Sequence, residues 1–250
     1  MKIDFHTQYS RRHFKGLCKK AINLGLDALV MTGLPDNEDR QYKSLLIFPS
    51  QELDWRAAIE IPEYATREDW VEDKKTRTST KVYSGKALAI LPSDKDFLKD
   101  YDNRLYQLLG QVSKLGGVTI SLQDDENHFI VGSFEDSKNI YPFDAVRIRP
   151  HSTIDIHSLF HQPRSFVAGS NAQNARGLLN KTAAFTQYNQ TFKTKEELIE
   201  AIKTNTPSEL FLFEKSKFPF LSPKKTPIKE TVPPLKIVFP PGSIERLFEG

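Results

Sequence analysis

The sequence predicts an α/β fold built around a mainly parallel sheet or barrel. Two observations carry that prediction. Short runs of apolar, β-branched residues alternate with amphipathic helical patterns along most of the chain, the rhythm of strand-helix-strand units. Glycines also stand where those helices must stop: Gly25 and Gly116 each follow the last periodic residue of a helix, where a left-handed residue is wanted.

Taken in order, KIDF is the first strand, FKGLCKKAINLG the first helix and DALVMTG the next strand. A second group runs VYSGKALAILP, DFLKDYDNRLYQLLGQVSKLG and GVTISL. FDAVRIR and SFVAGS read as strands flanking a helix around IDIHSLFHQ. In KTKEELIEAIK, Thr194 and Glu197 have the spacing of a capping box. No fixed-period repeat is present.

Composition narrows the classes. With 35 basic and 32 acidic residues the formal net charge is +3, which does not by itself point to nucleic acid. The single Cys18 excludes a disulfide within the chain, and its helical surroundings mark it as a small core residue. No apolar run approaches the roughly 18 residues that span a bilayer, and the N-terminus reads as a strand rather than a signal peptide. A soluble, intracellular protein with no membrane contact is expected.

Two stretches break the rhythm. Residues 63–81 are charged and lack a clear strand pattern, which predicts an insertion or loop with one helical turn. From Lys215 the prolines forbid regular helix or central strand, so residues 215–250 read as an extended Pro-rich tail behind a domain of residues 1–214. Its Phe218, Phe220, Leu235, Ile237, Val238 and Phe239 suit either a strap over its own domain or a docking arm for a partner.

Several short motifs share the order of one family. IDFHTQ, GLDALVMTGL, FPSQELD, SGKALAIL, LGGVTISLQDDE, FDAVRIR and VAGSNAQNARGLL are similar in sequence and spacing to the motifs of the polymerase and histidinol phosphatase (PHP) domain, which the chain resembles over roughly residues 1–205. The resemblance implies a distorted seven-stranded (β/α) barrel, in a phosphoesterase family that holds its metal ions at the C-terminal ends of the strands. It also implies that the metal site is dismantled. The family's first histidine falls on His6 and its glutamate on Glu52, but its other ligands fall on Gln8, Gly33, Leu34, Lys86, Gln123, Asn171 and Gln173.

The substitutions have a chemical meaning. Divalent ions in such sites need neutral imidazoles and ionised carboxylates, whereas an amide offers one neutral carbonyl, Leu34 offers nothing and Lys86 brings a competing charge. Without a metal, bound water keeps a pKa near that of bulk water. The expected site is therefore a degenerate pocket of His6, Gln8, Leu34, Glu52, Lys86, Gln123, Asn171 and Gln173, with no cofactor. Its amides should hydrogen-bond to one another, and Lys86 should pair with Glu52. If a metal is retained, His6 and Glu52 would hold it, completed by Asp4 or Asp124.

Other candidates are weaker. His157 and His161 lie one helical turn apart, but Ser158 stands where a zincin has glutamate, so surface histidines fit better. Arg11, Arg12 and His13, extended by Lys15, Lys19 and Lys20, form a cationic cluster suited to an anion or RNA backbone, or to plain solvation. Arg147 and Arg149 alternate on a strand and would make one face of its end arginine-rich. Tyr9 and Asn174 flank ligand-matching positions and should line the cavity. Asp124, Asp125 and Glu126 read as a solvated turn. No nucleophilic triad or Gly-rich phosphate loop is present.

The functional expectation is a catalytically inactive PHP-like barrel acting as a structural or binding subunit of a larger protein or ribonucleoprotein assembly, engaged through residues 215–250. The alternatives are a metal-dependent phosphoesterase or nuclease with a reduced site, and a noncatalytic RNA-binding subunit similar to the ribonuclease P p30 family.

Overall fold

The structure, a computed structural model, describes residues 1–63, 65–72, 74, 77–122, 143–148, 165–180, 184–212 and 235–238. The chain opens with β1 (Lys2–Gln8), α1 (Phe14–Asn23), β2 (Ala28–Thr32), β3 (Arg40–Tyr42) and β4 (Leu45–Glu63). It continues through α2 (Arg67–Val71), β5 (Arg77–Ile90), α3 (Leu105–Lys114), β6 (Val118–Leu122), β7 (Ala145–Ile148) and β8 (Ser165–Ala168). The last elements are α4 (Ala175–Asn180), β9 (Ala184–Tyr188), α5 (Lys195–Lys203), β10 (Ser208–Leu212) and β11 (Leu235–Val238).

The strands run in the order β11-β10-β9-β1-β2-β4-β5-β6-β7-β8, with β3 added to β4. Among the described residues nine of them form a nearly closed, barrel-like sheet, not the seven expected. The difference lies after β8. β9 returns antiparallel to β1 and β10 antiparallel to β9, two short strands whose mixed polar and apolar residues hide their periodicity. The seam is bridged where the Ala168 amide donates to Thr186 Oγ1 at 2.8 Å. Parallel pairing holds for β1–β2–β4 and β6–β7–β8, whereas β5 is antiparallel to both neighbours.

The charged insertion also folds differently from its expectation. The helical turn is present as α2, but β4 extends to Glu63 and β5 starts at Arg77, so residues 77–81 belong to a two-stranded ribbon paired from Gln51–Ala89 out to Glu63–Arg77. Nearer the barrel the ribbon has a regular strand pattern. Leu53, Trp55 and Ala57 are buried while the alternating Asp54, Arg56 and Ala58 are exposed, the period-2 signature of a strand with one covered face. Trp55 lies flat over Gly85, where a methyl group would come within 2.7 Å of its ring.

Helix ends follow the sequence. Gly25 and Gly116 take positive φ of 74° and 80°, and the Thr194 hydroxyl accepts the Glu197 amide at 3.4 Å while Glu197 Oε2 accepts the Lys193 amide at 2.6 Å. Cys18, on the covered face of α1, is buried.

Inward-facing residues of the strands, including Ile3, Phe5, Ala28, Val30, Phe48, Leu88, Ile90, Val118, Ile120 and Val167, form the central core. Leu198, Ile199, Ala201 and Ile202 of α5 join the same cluster, so α5 fills the end of the barrel where the strands begin. The wholly buried Lys195 anchors that helix, its ammonium donating to the Asn37 carbonyl at 2.5 Å and to Asn37 Oδ1 at 2.7 Å. The outer face of β2 and β4 is covered by α1 and α4, and that of β5 and β6 by α3. β11 adds to the edge of β10, pairing Leu235 with Leu212. No helix among the described residues is long and apolar enough to cross a membrane.

Candidate functional site

At the other end of the barrel the inward positions turn polar. On β5, Lys86 continues the face that carries Leu88 and Ile90; on β7, Arg147 continues that of Ala145. β1 reaches the same layer through an irregularity. Asp4 pairs with Leu29 and Thr7 with Met31, so β1 advances three residues while β2 advances two, a β-bulge around Phe5 and His6. After the bulge, His6 enters the interior above Phe5 and Gln8 follows it. The bulge is held from behind: a methyl group on Gly169 would lie 2.7 Å from the His6 amide nitrogen.

Four side chains then form a chain of contacts. The guanidinium of Arg147, wholly buried, reaches Nδ1 of His6. His6 Nε2 lies 3.4 Å from Glu52 Oε2, and Glu52 Oε1 lies 2.5 Å from Lys86 Nζ. Contact with His6 and, against the opposing effect of burial, with the Lys86 ammonium holds the Glu52 carboxyl at about 2. The ion pair expected between Lys86 and Glu52 is thus present geometrically, and Lys86 is half-exposed at the rim.

The amides form a second, separate group. Gln8 Nε2 donates to Asn171 Oδ1 at 3.1 Å and Gln173 Nε2 donates to Gln8 Oε1 at 2.5 Å. Backbone bonds fix them, from the Asn171 amide to the His6 carbonyl at 2.7 Å and from the Gln8 amide to the Ala172 carbonyl at 2.9 Å. Asn171 sits at a φ of 57°, a left-handed position that asparagine tolerates.

Asp4 plays a role that sequence reasoning missed. It is wholly buried, accepts the Ser170 hydroxyl at 2.5 Å and amide at 2.9 Å, and accepts the His6 amide at 3.1 Å. Burial raises its carboxyl to about 6, against those hydrogen bonds and the charge of Arg147. Asp4 is a clasp between β1 and the loop after β8, not a spare ligand. The signal available was the hydroxyl of Ser170 directly after a glycine at a strand end.

Other expectations are corrected. Leu34 lies in the outer cluster beneath α1, because Gly33 with its φ of 77° turns the chain out of the mouth. Arg147 is buried against His6, so an RNA backbone has no access to it there. Tyr9 packs against Phe14, ring centroids 5.5 Å apart. Asn174 caps α4, accepting the Arg176 and Gly177 amides at 3.0 Å each. Arg11, Arg12 and His13 are exposed on the turn into α1. Gln123, Arg149, His157, His161 and the acidic run at 124–126 lie outside the described residues, as does most of the tail.

The layer does not suit a divalent ion. A guanidinium has donors and no acceptor, so His6 Nδ1 must accept from Arg147 and the ring proton resides on Nε2, facing Glu52. The ring's one available lone pair, on Nδ1, then goes to Arg147 and not to a metal, and the carboxylate that would join it faces an ammonium. No group of three or more His, Cys, Asp or Glu side chains converges among the described residues.

No family model matches the chain, and no curated protein matches it. Among solved structures it is similar to PsfC from Pseudomonas syringae PB-5123, at 14% identity and a TM-score of 0.45 over 79% of this chain and 87% of that one. It is also similar to the lesion-specific endonuclease PfuEndoQ from Pyrococcus furiosus, at 12% identity and a TM-score of 0.49 over 84% of this chain and 57% of that one.

Proposed function

We propose that the chain is a barrel without phosphoesterase turnover that serves a larger assembly as a structural or binding subunit. The observation that carries this reading is that Arg147 occupies Nδ1 of His6 while the Glu52 carboxylate, 3.4 Å from Nε2, is already neutralised by Lys86. Hydrolysis through a metal-bound hydroxide needs an ion that lowers the pKa of water, and such an ion here would have to displace an ammonium and sit beside a buried guanidinium. The amides Gln8, Asn171 and Gln173 support the same reading, since they satisfy one another in the place where ligands would be needed.

The deciding experiment pairs elemental analysis of protein purified without chelator with a phosphoesterase assay in added manganese and zinc. Less than about a tenth of an equivalent of metal and no turnover is the expected result. A metal-dependent rate that His6→Ala abolishes would overturn the proposal in favour of a reduced metal site at His6 and Glu52.

A further inference from the structure

Outside the barrel, α1 carries an unusual distribution of charge. Arg11, Arg12, Lys15, Lys19 and Lys20 fall within a stretch, from Tyr9 to Gly25, that contains no Asp or Glu. The whole chain has 35 basic and 32 acidic residues, so setting these five aside leaves 30 against 32. The turn into α1 and α1 itself thus carry five positive charges and no negative one. Arg11, Arg12, Lys15 and Lys19 are exposed and Lys20 partly so, and the exposed Arg176 of the neighbouring α4 adds to them. None of the six forms an ion pair among the described residues.

This placement works against the stability of the helix. Arg11 and Lys15, and Lys15 and Lys19, are like-charge pairs one turn apart. Cations crowd the N-terminal end of α1, where the helix dipole favours anions, and the first turn has no acidic residue. Gly16, in the same exposed stretch, has nothing within 4 Å of where a side chain would begin, so a ligand could approach the backbone closely. All these features are unfavourable in the free protein and favourable beside a row of anions.

We propose that the exposed face of α1, with Arg11 and Arg12 ahead of it and Arg176 beside it, binds the phosphate backbone of a nucleic-acid strand. Its 10 residues extend over about 15 Å, long enough to meet several successive phosphates. An anionic membrane is the lesser fit. A helix lying on a bilayer adds an apolar wedge to its cations, whereas the exposed large apolar side chains of this protein, Val71, Val82 and Tyr106 among the described residues, all lie on other elements. The surface is on the outer side of the barrel wall and does not depend on what the mouth does. Loss of oligonucleotide binding would leave the reading of the mouth standing, and metal-dependent turnover would sink that reading but not this one.

The test is fluorescence anisotropy of a labelled, mixed-sequence RNA of about 20 nucleotides and of its DNA counterpart, titrated with the full chain across a salt series. Engaging about four phosphates predicts a salt slope near −3, a loss of roughly 60-fold in affinity for a fourfold rise in salt. Arg11→Ala, Lys15→Ala and Lys19→Ala combined should flatten that slope by about 2, while Lys99→Ala with Lys193→Ala should leave it unchanged. These are surface substitutions, and circular dichroism of each variant verifies the fold. The proposal is overturned by absence of binding at low salt, by binding that the triple variant retains in full, or by binding to vesicles of phosphatidylcholine and phosphatidylserine without binding to either oligonucleotide.

Discussion

Arg147 and His6 meet inside the barrel, guanidinium to Nδ1, and chemistry sets the direction of the bond. Arginine donates, so the imidazole accepts, and its own proton is left on Nε2. Nitrogen-resolved NMR should therefore find the neutral His6 ring as the Nε2–H tautomer. Arg147→Leu should shift this tautomer balance and destabilise the protein by about 2–4 kcal/mol, because a buried acceptor and its neighbours lose their donor. An unchanged His6 spectrum in that variant would show that the guanidinium does not set the tautomer.

Glu52 contributes to the acid limb of stability. Its carboxyl is at about 2 in the fold against an ordinary 4.5, so its contribution is complete above about 4.5 and lost as pH falls toward 2. Lys86→Met should raise that pKa and move the acid unfolding limb to higher pH. Direct titration of the Glu52 carboxyl checks the point, and an ordinary value in the unsubstituted protein would contradict it.

Asp4 has the opposite sign. Its carboxyl stands at about 6 in the fold against an ordinary 3.8, so the protonated form is the one that folding favours. That contribution is complete below about 3.8 and lost as pH rises toward 6, a swing on the order of 3 kcal/mol at most. Denaturation profiles across this window should lose their downward slope in Asp4→Asn. An identical slope in the variant would assign the pH dependence elsewhere.

Two glycines make a contrasting pair. Gly169→Ala forces a methyl group to 2.7 Å from the His6 amide, and relief requires moving the backbone of the bulge. A loss of about 2–3 kcal/mol is expected. Gly16→Ala meets nothing within 4 Å in the first turn of α1 and should stabilise by up to about 0.5–1 kcal/mol. Thermal unfolding of both variants is sufficient, and equal effects would mean that the close approach at Gly169 is easily relieved.

The parts of the fold that were legible in the sequence are those whose signal is local. Gly25, Gly116 and the Thr194–Glu197 capping pair mark helix ends by backbone chemistry that no tertiary contact overrides. Residues 77–81 were expected to be loop because the run 63–81 is charged and has no apolar periodicity, yet they pair as the outer end of the β4–β5 ribbon. β9 and β10 were missed because strands this short carry little periodicity. At the site, Lys86 and Glu52 could be paired from their positions, whereas the bulge, the clasp of Asp4 on Ser170 and the turn of Arg147 toward His6 depend on residues more than 100 apart or on a one-residue slip in register. Leu34 illustrates the same limit, since one positive φ at Gly33 decides which side of the wall it joins.

With α5 seated in one end, the barrel is a cup with a floor, not a tube. Among the described residues, Lys86 stands at the open rim above the inner polar layer, its side chain half in water. A solute that reaches Glu52 from that side must first part it from the Lys86 ammonium.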